Sequence, residues 1–287
     1  MTLTVARRAE ELYAHYTRGA ERAVVMTLGA LHEGHAANIR AARERVGPGG
    51  QVVVTVYVNP LQFGAGEDFE RYPRTLDADV EVAAAAGADL VFAPTDAEMY
   101  PDGRPSVTLA AGPLGERLEG ASRPGHFDGM LTVVAKLLHL TRADYATFGA
   151  KDAQQLALVR RMVRDLNFPV RIVPVPTLRD PDGLARSSRN RYLSPAERVS
   201  ALAISRALFA AAERPDAPGA RAAARAVLDE AAGGDPPLAL DYLALLDPAT
   251  LDEVRDEHTG EALLAVAARV GDTRLIDNVT LTLDGRA

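Results

Sequence analysis

The 287-residue chain is predicted to have an α/β fold, with a doubly wound parallel sheet followed by a smaller C-terminal α+β domain. Short valine-rich segments alternate with amphipathic helical patterns over roughly the first 175 residues. The strand-like segments are continuously apolar, which is typical of parallel strands covered on both faces. After residue 176 the sequence pattern changes to alanine-rich helical segments, followed by the last strand-like segments. Together these observations predict a Rossmann-like first domain over 1–176 and a lid-like α+β domain over 177–287.

Each predicted element is bounded by turn or capping residues. Glycine, proline or asparagine flanks the strands expected at 23–28, 51–58, 89–93, 145–148 and 170–175. Helical periodicity predicts helices at 33–46, 76–86, 127–141 and 152–166. Ser194, Pro195 and Glu197 form a helix-start signal. The second domain is expected to contain helices at 195–213 and 218–232 and strands at 240–246, 262–270 and 279–283.

Composition excludes several classes of function. The net charge of −7 argues against nonspecific nucleic-acid binding as the main activity. The absence of cysteine excludes disulfides, thiolate chemistry and cysteine-ligated zinc. No apolar run approaches the ~20 residues of a membrane span, and the first residues lack a signal-peptide core. We therefore expect a cytoplasmic protein with no membrane partner.

The segment after the first predicted strand is the most informative one. It runs Leu28-Gly29-Ala30-Leu31-His32-Glu33-Gly34-His35 and leads into a predicted helix. A helix that begins near Glu33 directs its free N–H groups and both imidazoles to one side, which favours phosphate binding. The alternative is a chance histidine pair that only fills space in a loop.

Polar side chains also follow three other strands, and the ends of parallel strands form the ligand crevice. Asn59 and Gln62 are uncharged amides suited to a hydroxyl or carboxylate, or else only parts of a turn. Lys151 stands at a helix start, where the dipole disfavours a cation unless it meets an anion, and the alternative is a solvated surface lysine. The 183–191 loop carries three arginines and two serines, which suit a polyphosphate clamp if they are not simply solvated.

Some candidates are less specific. His126 lies at another predicted helix start. Glu67, Asp68 and Asp79 could hold Mg²⁺ through water and phosphate, whereas Asp77 is better explained by the helix dipole. The chain has no Walker A sequence, no Gly-x-Gly-x-x-Gly after a strand and no nucleophile elbow.

Six blocks in the chain carry a resemblance to a known family. They are GALHEGH (29–35), VNPLQF (58–63), DFERYPRT (68–75), HFDG (126–129), GAKDAQQ (149–155) and SSRNRYL (187–193), with TRLIDN (273–278) near the end. In this order and spacing the chain resembles the pantoate–β-alanine ligases of the HxGH nucleotidylyltransferase superfamily, the pantothenate synthetases.

The resemblance implies a two-step reaction that uses Mg²⁺ and ATP as a substrate. The pantoate carboxylate attacks the α-phosphorus of ATP, and the amine of β-alanine then attacks the pantoyl adenylate, which gives pantothenate, AMP and pyrophosphate. The implied catalytic residues are His32, His35, Lys151, Ser187 and Arg189, with His35 as proton donor. Pantoate and β-alanine are expected at Asn59, Gln62, His126 and Gln155, and Asp79 is the expected metal ligand. The implied ATP contacts are Leu28, Gly29, Ala30, Leu31, His32, Glu33, Gly34, His35, Gly149, Ala150, Lys151, Asp152, Leu178, Arg186, Ser187, Ser188 and Arg189.

The chain departs from the family pattern at Leu28, Ala78, Ala150, Ala153 and Arg186, where methionine, aspartate, glutamate, an aromatic residue and methionine are usual. None of these changes removes an implied catalytic group. The resemblance also suggests a homodimer. Two alternatives stay open at this stage, namely an HxGH enzyme that stops at the nucleotidyl product and a non-catalytic relative.

Overall fold

The structure is a computed structural model that describes residues 3–64, 66–67 and 69–285. These residues divide into two compact units. The first takes the described residues within 1–150 and 158–176, and the second takes those within 151–157 and 177–287. The segment 151–157, which holds Lys151 and Gln155, thus groups with the C-terminal part of the chain. The domain limits of 1–176 and 177–287 expected from the sequence stay a prediction.

The first unit is built on a parallel sheet. Its strands among the described residues are β1 (Thr4–Ala6), β2 (Arg22–Thr27), β3 (Gln51–Val56), β4 (Leu90–Phe92), β5 (Tyr145–Gly149) and β6 (Arg171–Val175). They lie in the order β1-β4-β3-β2-β5-β6, and every pairing is parallel. The order reverses between β2 and β5, which are neighbours through the register Val25↔Thr147. In doubly wound sheets this reversal marks the ligand crevice at the carboxyl ends of the strands.

Helices and short 3₁₀ turns connect the strands of this unit. They are α1 (Ala9–Ala14), α2 (Glu33–Val46), α3 (Leu76–Ala85), α4 (Asp96–Met99), α5 (Glu119–Ser122), α6 (His126–Thr141) and α7 (Ala153–Asp165), with 3₁₀ turns at Pro60–Gln62 and Gly112–Gly115. Residues 153–157 of α7 group with the second unit. The predicted helix 33–46 coincides with α2. The sequence missed β1 and α1, because a three-residue edge strand and a six-residue helix carry little periodicity.

Burial explains the valine-rich strands. Val52, Val53 and Val54 of β3 have no exposed surface, and the same holds for Val24 in β2. Strands that are covered on both faces cannot alternate apolar and polar residues, so β-branched side chains occupy consecutive positions, as at 52–56 of β3. The predicted doubly wound α/β fold is therefore confirmed.

The second unit contains an antiparallel sheet and two helices. The elements are a 3₁₀ turn at Ser188–Tyr192, α8 (Pro195–Ala212), α9 (Ala217–Ala232), β7 (Leu238–Leu246), β8 (Gly260–Val270) and β9 (Thr273–Leu283), with sheet order β7-β8-β9. Ser194 caps α8 and Glu197 completes the capping box, as the sequence predicts. The strand expected at 279–283 is too short, because β9 already begins at Thr273 after a tight turn at Gly271.

Small side chains let α8 and α9 approach the sheet closely. Ala203, Ala207, Ala220 and Ala224 have no exposed surface and share one core with Leu264 of β8. Across the described part of the chain, we find no helix with both the length and the apolar character that a membrane crossing needs.

Candidate active site

The turn after β2 presents two histidines at the start of α2. His32 is the N-cap residue, and its Nδ1 accepts a hydrogen bond from the Gly34 N–H at 3.0 Å. His35 lies one turn into the helix, and its Nδ1 accepts from the His32 N–H at 3.2 Å. The two ring centroids are 4.1 Å apart. The sequence-predicted pair is thus brought together as a capping box made of imidazoles.

These hydrogen bonds determine the tautomers of the neutral rings. A backbone N–H can only donate, so each Nδ1 must offer a lone pair. The ring proton of neutral His32 and of neutral His35 therefore resides on Nε2. Both side chains can donate a hydrogen bond from Nε2–H, and a phosphate oxygen needs such a donor.

The 3₁₀ turn after β3 positions Gln62. Asn59 has no exposed surface, and its Oδ1 accepts from the Leu61 N–H at 3.4 Å and from the Tyr100 hydroxyl at 3.0 Å. Its Nδ2 donates to the Gly129 carbonyl and to Gln62 Oε1, both at 3.1 Å. Leu61 N–H can only donate and the Gly129 carbonyl can only accept, so the orientation of the Asn59 amide is fixed. Gln62 must then turn Oε1 towards Asn59, which leaves Nε2 to serve as its donor.

Close packing of α6 supports this turn. A Cβ at Gly129 would lie 2.1 Å from the Leu61 carbonyl oxygen, so only glycine allows α6 to approach the 60–62 turn. Tyr100 was not identified from the sequence, because its contact with Asn59 joins residues far apart in the chain. Burial raises the pKa of Tyr100 to about 12, so its hydroxyl stays protonated as a donor at neutral pH.

His126, the first residue of α6, also contacts the Gln62 turn. Its Nδ1 lies 2.8 Å from the Gln62 carbonyl oxygen and its Nε2 lies 3.1 Å from Arg123 Nη1. Arg123 in turn forms a two-pronged ion pair with Glu67, with both contacts at 2.7 Å. The hydrogen bond from Arg123 lowers the pKa of Glu67, so this carboxylate stays charged at neutral pH. Sequence reasoning did not find this pair, and Asp68 lies outside the described residues.

Asp79 lies in the first turn of α3, and its carboxylate faces the turn after β2. Oδ1 accepts from the Leu31 N–H at 2.7 Å and from the Thr75 hydroxyl at 3.2 Å, and Oδ2 accepts from the Ala30 N–H at 3.2 Å. The side chain is buried. Within residues 3–64, 66–67 and 69–285, no three His, Asp or Glu side chains gather in a metal-binding group. The role of Asp79 as a metal ligand stays a prediction.

The end of β5 lies beside α2. A Cβ at Gly149 would lie 3.8 Å from Asn38 Nδ2, one turn beyond His35. The Ala150 N–H donates to the Val175 carbonyl at 2.8 Å, which continues the pairing of β5 with β6. Of the implied nucleotide contacts in this unit, Leu28, Glu33 and Gly149 are partly or fully exposed, whereas Gly29 and Ala30 are buried.

Lys151 begins the segment that groups with the second unit. Only 17% of its side chain is exposed, and Nζ lies 3.9 Å from Asp152 Oδ1. Its backbone carbonyl accepts a hydrogen bond from Asn278 Nδ2 at 2.7 Å. Asp152 is exposed, and Gln155 lies on the first turn of α7. The TRLIDN block, which lies in β9, thus contacts the backbone of Lys151 through Asn278. The sequence alone did not indicate this contact.

The predicted clamp loop, residues 183–191, pairs with the chain just before it at residues 178–179. Arg179 pairs with Ala185 as a β-bridge, and the Arg186 N–H donates to the Leu178 carbonyl at 2.9 Å. Asp277 is buried and accepts two hydrogen bonds from Arg179, at 2.5 Å and 3.1 Å. The base of the loop is therefore attached to β9.

The tip of the loop carries the predicted phosphate ligands. Ser187 caps the 3₁₀ turn at Ser188–Tyr192, where its Oγ accepts from the Arg189 N–H at 3.3 Å. The Arg189 side chain is exposed and makes no ion pair with any other described residue. Arg186, which stands where methionine is usual, instead donates to Asp180 at 2.7 Å. The exposed Arg189 guanidinium and the Ser187 hydroxyl near it in the chain are suited to an anionic ligand.

Comparison with known sequences gives a consistent result. Residues 2–280 match the family model described as pantoate-beta-alanine ligase. A pantothenate synthetase from Streptomyces coelicolor is 62% identical, with 96% of this chain and 95% of the relative covered. The pantothenate synthetase of Thermobifida fusca is 57% identical, with 98% and 97% covered.

Solved structures show the same likeness. Pantothenate synthetase from Thermus thermophilus is 46% identical with a TM-score of 0.88, over 96% of this chain and 99% of that chain. A pantoate-beta-alanine ligase from Francisella tularensis, complexed with beta-gamma ATP and beta-alanine, is 29% identical with a TM-score of 0.75. In that comparison, 96% of this chain and 97% of the other are covered.

Proposed function

The chain belongs to the pantoate–β-alanine ligase family, and from this premise we propose how its own residues carry out the reaction. The protein is an ATP-dependent enzyme that joins pantoate to β-alanine. The proposed route has two steps. The pantoate carboxylate attacks the α-phosphorus of ATP and pyrophosphate leaves, after which the amine of β-alanine attacks the pantoyl carbonyl and AMP leaves. No protein nucleophile is needed, so the residues act by orientation and by neutralising charge.

The observation that carries the proposal is the imidazole pair at the start of α2. Both rings can donate from Nε2 at the N-terminus of α2, whose positive dipole end favours an anion. This turn follows β2, where the strand order of the sheet reverses. We assign His32 and His35 to the ATP phosphates, with His35 as the proton donor to the leaving group. Leu28, Gly29, Ala30, Leu31, Glu33 and Gly34 would form the nucleotide-binding surface of the same turn.

Lys151, Ser187 and Arg189 are assigned to the β- and γ-phosphates and the leaving pyrophosphate. The exposure of Arg189 and its freedom from ion pairs among the described residues support this role. The Asn278 hydrogen bond to the Lys151 carbonyl restrains the backbone that carries the ammonium group. Gly149, Ala150, Asp152, Leu178, Arg186 and Ser188 are assigned to the nucleoside side of the ATP site.

Gln62 and Gln155 are assigned to pantoate, with Asn59 and His126 in support. Because Asn59 fixes the Gln62 amide, Gln62 would present Nε2–H donors to a hydroxyl or carboxylate of the substrate. Asn59 and His126 contact Gln62 itself, so both would act on the substrate through that residue. This arrangement binds an acid without placing a positive charge against its nucleophilic oxygen.

We propose that Mg²⁺ enters as Mg·ATP, as part of that substrate. Mg²⁺ keeps several waters and takes phosphate oxygens, so it needs no cage of protein carboxylates. The Asp79 carboxylate, which the sequence offered as a ligand, already accepts three hydrogen bonds. The resemblance further supports a cytoplasmic homodimer, and light scattering of the purified protein tests the dimer.

Product analysis tests the proposed function. The protein incubated with pantoate, β-alanine and Mg·ATP should form AMP and pyrophosphate in equal amounts, together with pantothenate. Formation of ADP, or no turnover with all three substrates at saturation, would refute the proposal.

Substitution of two assigned residues tests the site. His35→Ala and Lys151→Ala should each lower turnover by at least ~10²-fold, because each removes a donor aimed at developing phosphate charge. Arg160→Ala is the matched control, since Arg160 is an exposed cation on α7 with no ion pair to another described residue. A fully active Lys151→Ala variant would contradict the assignment of that lysine.

A further inference from the structure

One buried carboxylate holds the phosphate-binding turn in place. We propose that Asp79 is a positioning residue, whose carboxylate fixes His32 and His35 by accepting hydrogen bonds from the backbone N–H groups of Ala30 and Leu31. The contacts run from Leu31 N to Oδ1 at 2.7 Å and from Ala30 N to Oδ2 at 3.2 Å. This inference rests on the proposed function, because it concerns how the phosphate site is formed.

The turn needs such a restraint because its backbone conformation is unfavourable. Gly29 has φ = +93° and the next residue, Ala30, has φ = +51°. A residue with a Cβ rarely adopts the left-handed region unless its surroundings hold it there. A Cβ at Gly29 would lie 3.1 Å from Asp79 Oδ2 and 3.2 Å from Val56 Cγ1, so the turn packs directly on the carboxylate.

The carboxylate is itself fixed at its position on α3. The Thr75 hydroxyl donates to Oδ1 at 3.2 Å, and the Asp79 N–H donates to the Thr75 carbonyl at 2.9 Å. The side chain is 2% exposed, so water does not compete for its oxygens. Every one of these groups belongs to the first unit.

Displacement of this turn would reach both imidazoles. His32 follows Leu31 directly, its Nδ1 accepts from the Gly34 N–H, and its own N–H donates to His35 Nδ1. A shift of residues 30–31 therefore changes the direction of both Nε2–H donors. Only the first chemical step uses the β- and γ-phosphates, so loss of Asp79 should impair adenylate formation and spare the attack of β-alanine on the adenylate.

The experiment compares Asp79→Asn with Glu81→Gln. Asparagine keeps the shape but can accept through only one oxygen, and its NH₂ group opposes a backbone N–H. Glu81 is exposed on the same helix, so its variant removes one charge without touching the turn. Single-turnover release of pyrophosphate from ATP and pantoate, without β-alanine, should fall at least ~10-fold in Asp79→Asn and stay within about 2-fold in Glu81→Gln.

Two further measurements separate positioning from other roles. Aminolysis of supplied pantoyl adenylate by β-alanine should stay within about 2-fold of wild type in Asp79→Asn, and half-saturation by Mg²⁺ should be unchanged. Thr75→Val removes only the outer restraint on the carboxylate, so it should fold normally and show a smaller loss confined to the first step.

Several results would overturn the proposal. Recovery of the Asp79→Asn rate at high Mg²⁺ would make the carboxylate a metal ligand, and an equal loss in both steps would make it a general structural residue. Unchanged pyrophosphate release in Asp79→Asn and Thr75→Val, with an active wild type, would refute the positioning role alone. A wild type that releases no pyrophosphate would instead refute the proposed function and this inference with it.

Discussion

Replacement of Asn59 by alanine should lower both the stability of the enzyme and its affinity for pantoate. Asn59 donates to Gln62 Oε1 and to the Gly129 carbonyl at 3.1 Å, and it accepts from the Tyr100 hydroxyl at 3.0 Å. All of these groups lie in a region where water has little access, and Asn59 itself has no exposed surface. Alanine would leave each partner without its hydrogen bond.

The size of the effect follows from the three bonds of 3.0–3.1 Å, because the fourth, from the Leu61 N–H at 3.4 Å, is too long to contribute much. A buried neutral hydrogen bond contributes about 1 kcal/mol net, so the free energy of unfolding should fall by about 3 kcal/mol. For a folding unit of this size that corresponds to a decrease in Tm of about 6–12 °C. The Gln62 amide would lose the partner that fixes its orientation, so we expect the KM for pantoate to rise about 10-fold while the KM for ATP stays nearly constant.

Thermal unfolding and steady-state kinetics with each substrate varied in turn measure these changes. Tyr100→Phe is the matched control, because it removes one of the three bonds and leaves the Asn59–Gln62 contact intact. It should lose about 1 kcal/mol and keep a nearly normal KM for pantoate. If Asn59→Ala kept the wild-type KM for pantoate, or if Tyr100→Phe raised it equally, the amide-orientation argument would be wrong.

Two further predictions concern the second unit. Asn278→Ala removes the 2.7 Å hydrogen bond to the Lys151 carbonyl, so kcat should fall about 10-fold with little change in the KM for pantoate, as steady-state kinetics will show. Hydrogen bonds from Arg198 and Arg186 lower the pKa of Asp180 below its ordinary value of 3.8. The stability that the Asp180 carboxylate contributes is therefore present above about pH 4, and it is lost as the pH falls through the lowered pKa. Asp180→Asn should therefore be less stable than wild type at pH 7, and the difference should shrink in urea unfolding below pH 4; a constant difference across that range would contradict the argument.

The sequence predicted most elements of the fold because hydrophobic periodicity is a local signal. The predicted helix at 33–46 coincides with α2, and the strand-like segments at 51–58 and 145–148 correspond to β3 and β5. The pattern could not reveal β1, whose three residues gain their strand conformation only by pairing with β4. It also predicted too short a range for β9, because the polar residues at its start are held by antiparallel pairing with β8.

The sequence by itself determined the chemistry available to this protein. Two histidines at a helix start, a lysine at another and an arginine–serine loop pointed to a triphosphate, and the ordered blocks pointed to one family of ligases. The residues of each motif lie close together along the chain, so their types and spacing can be recognised without a structure. Only the tertiary structure decided what holds them: Tyr100 and Asn59 fix Gln62, Asn278 restrains Lys151, and Asp79 accepts the N–H groups before His32. Apart from the local contact of Asn59 with Gln62, these contacts join residues from about 40 to more than 120 positions apart, and folding alone brings them within hydrogen-bond distance.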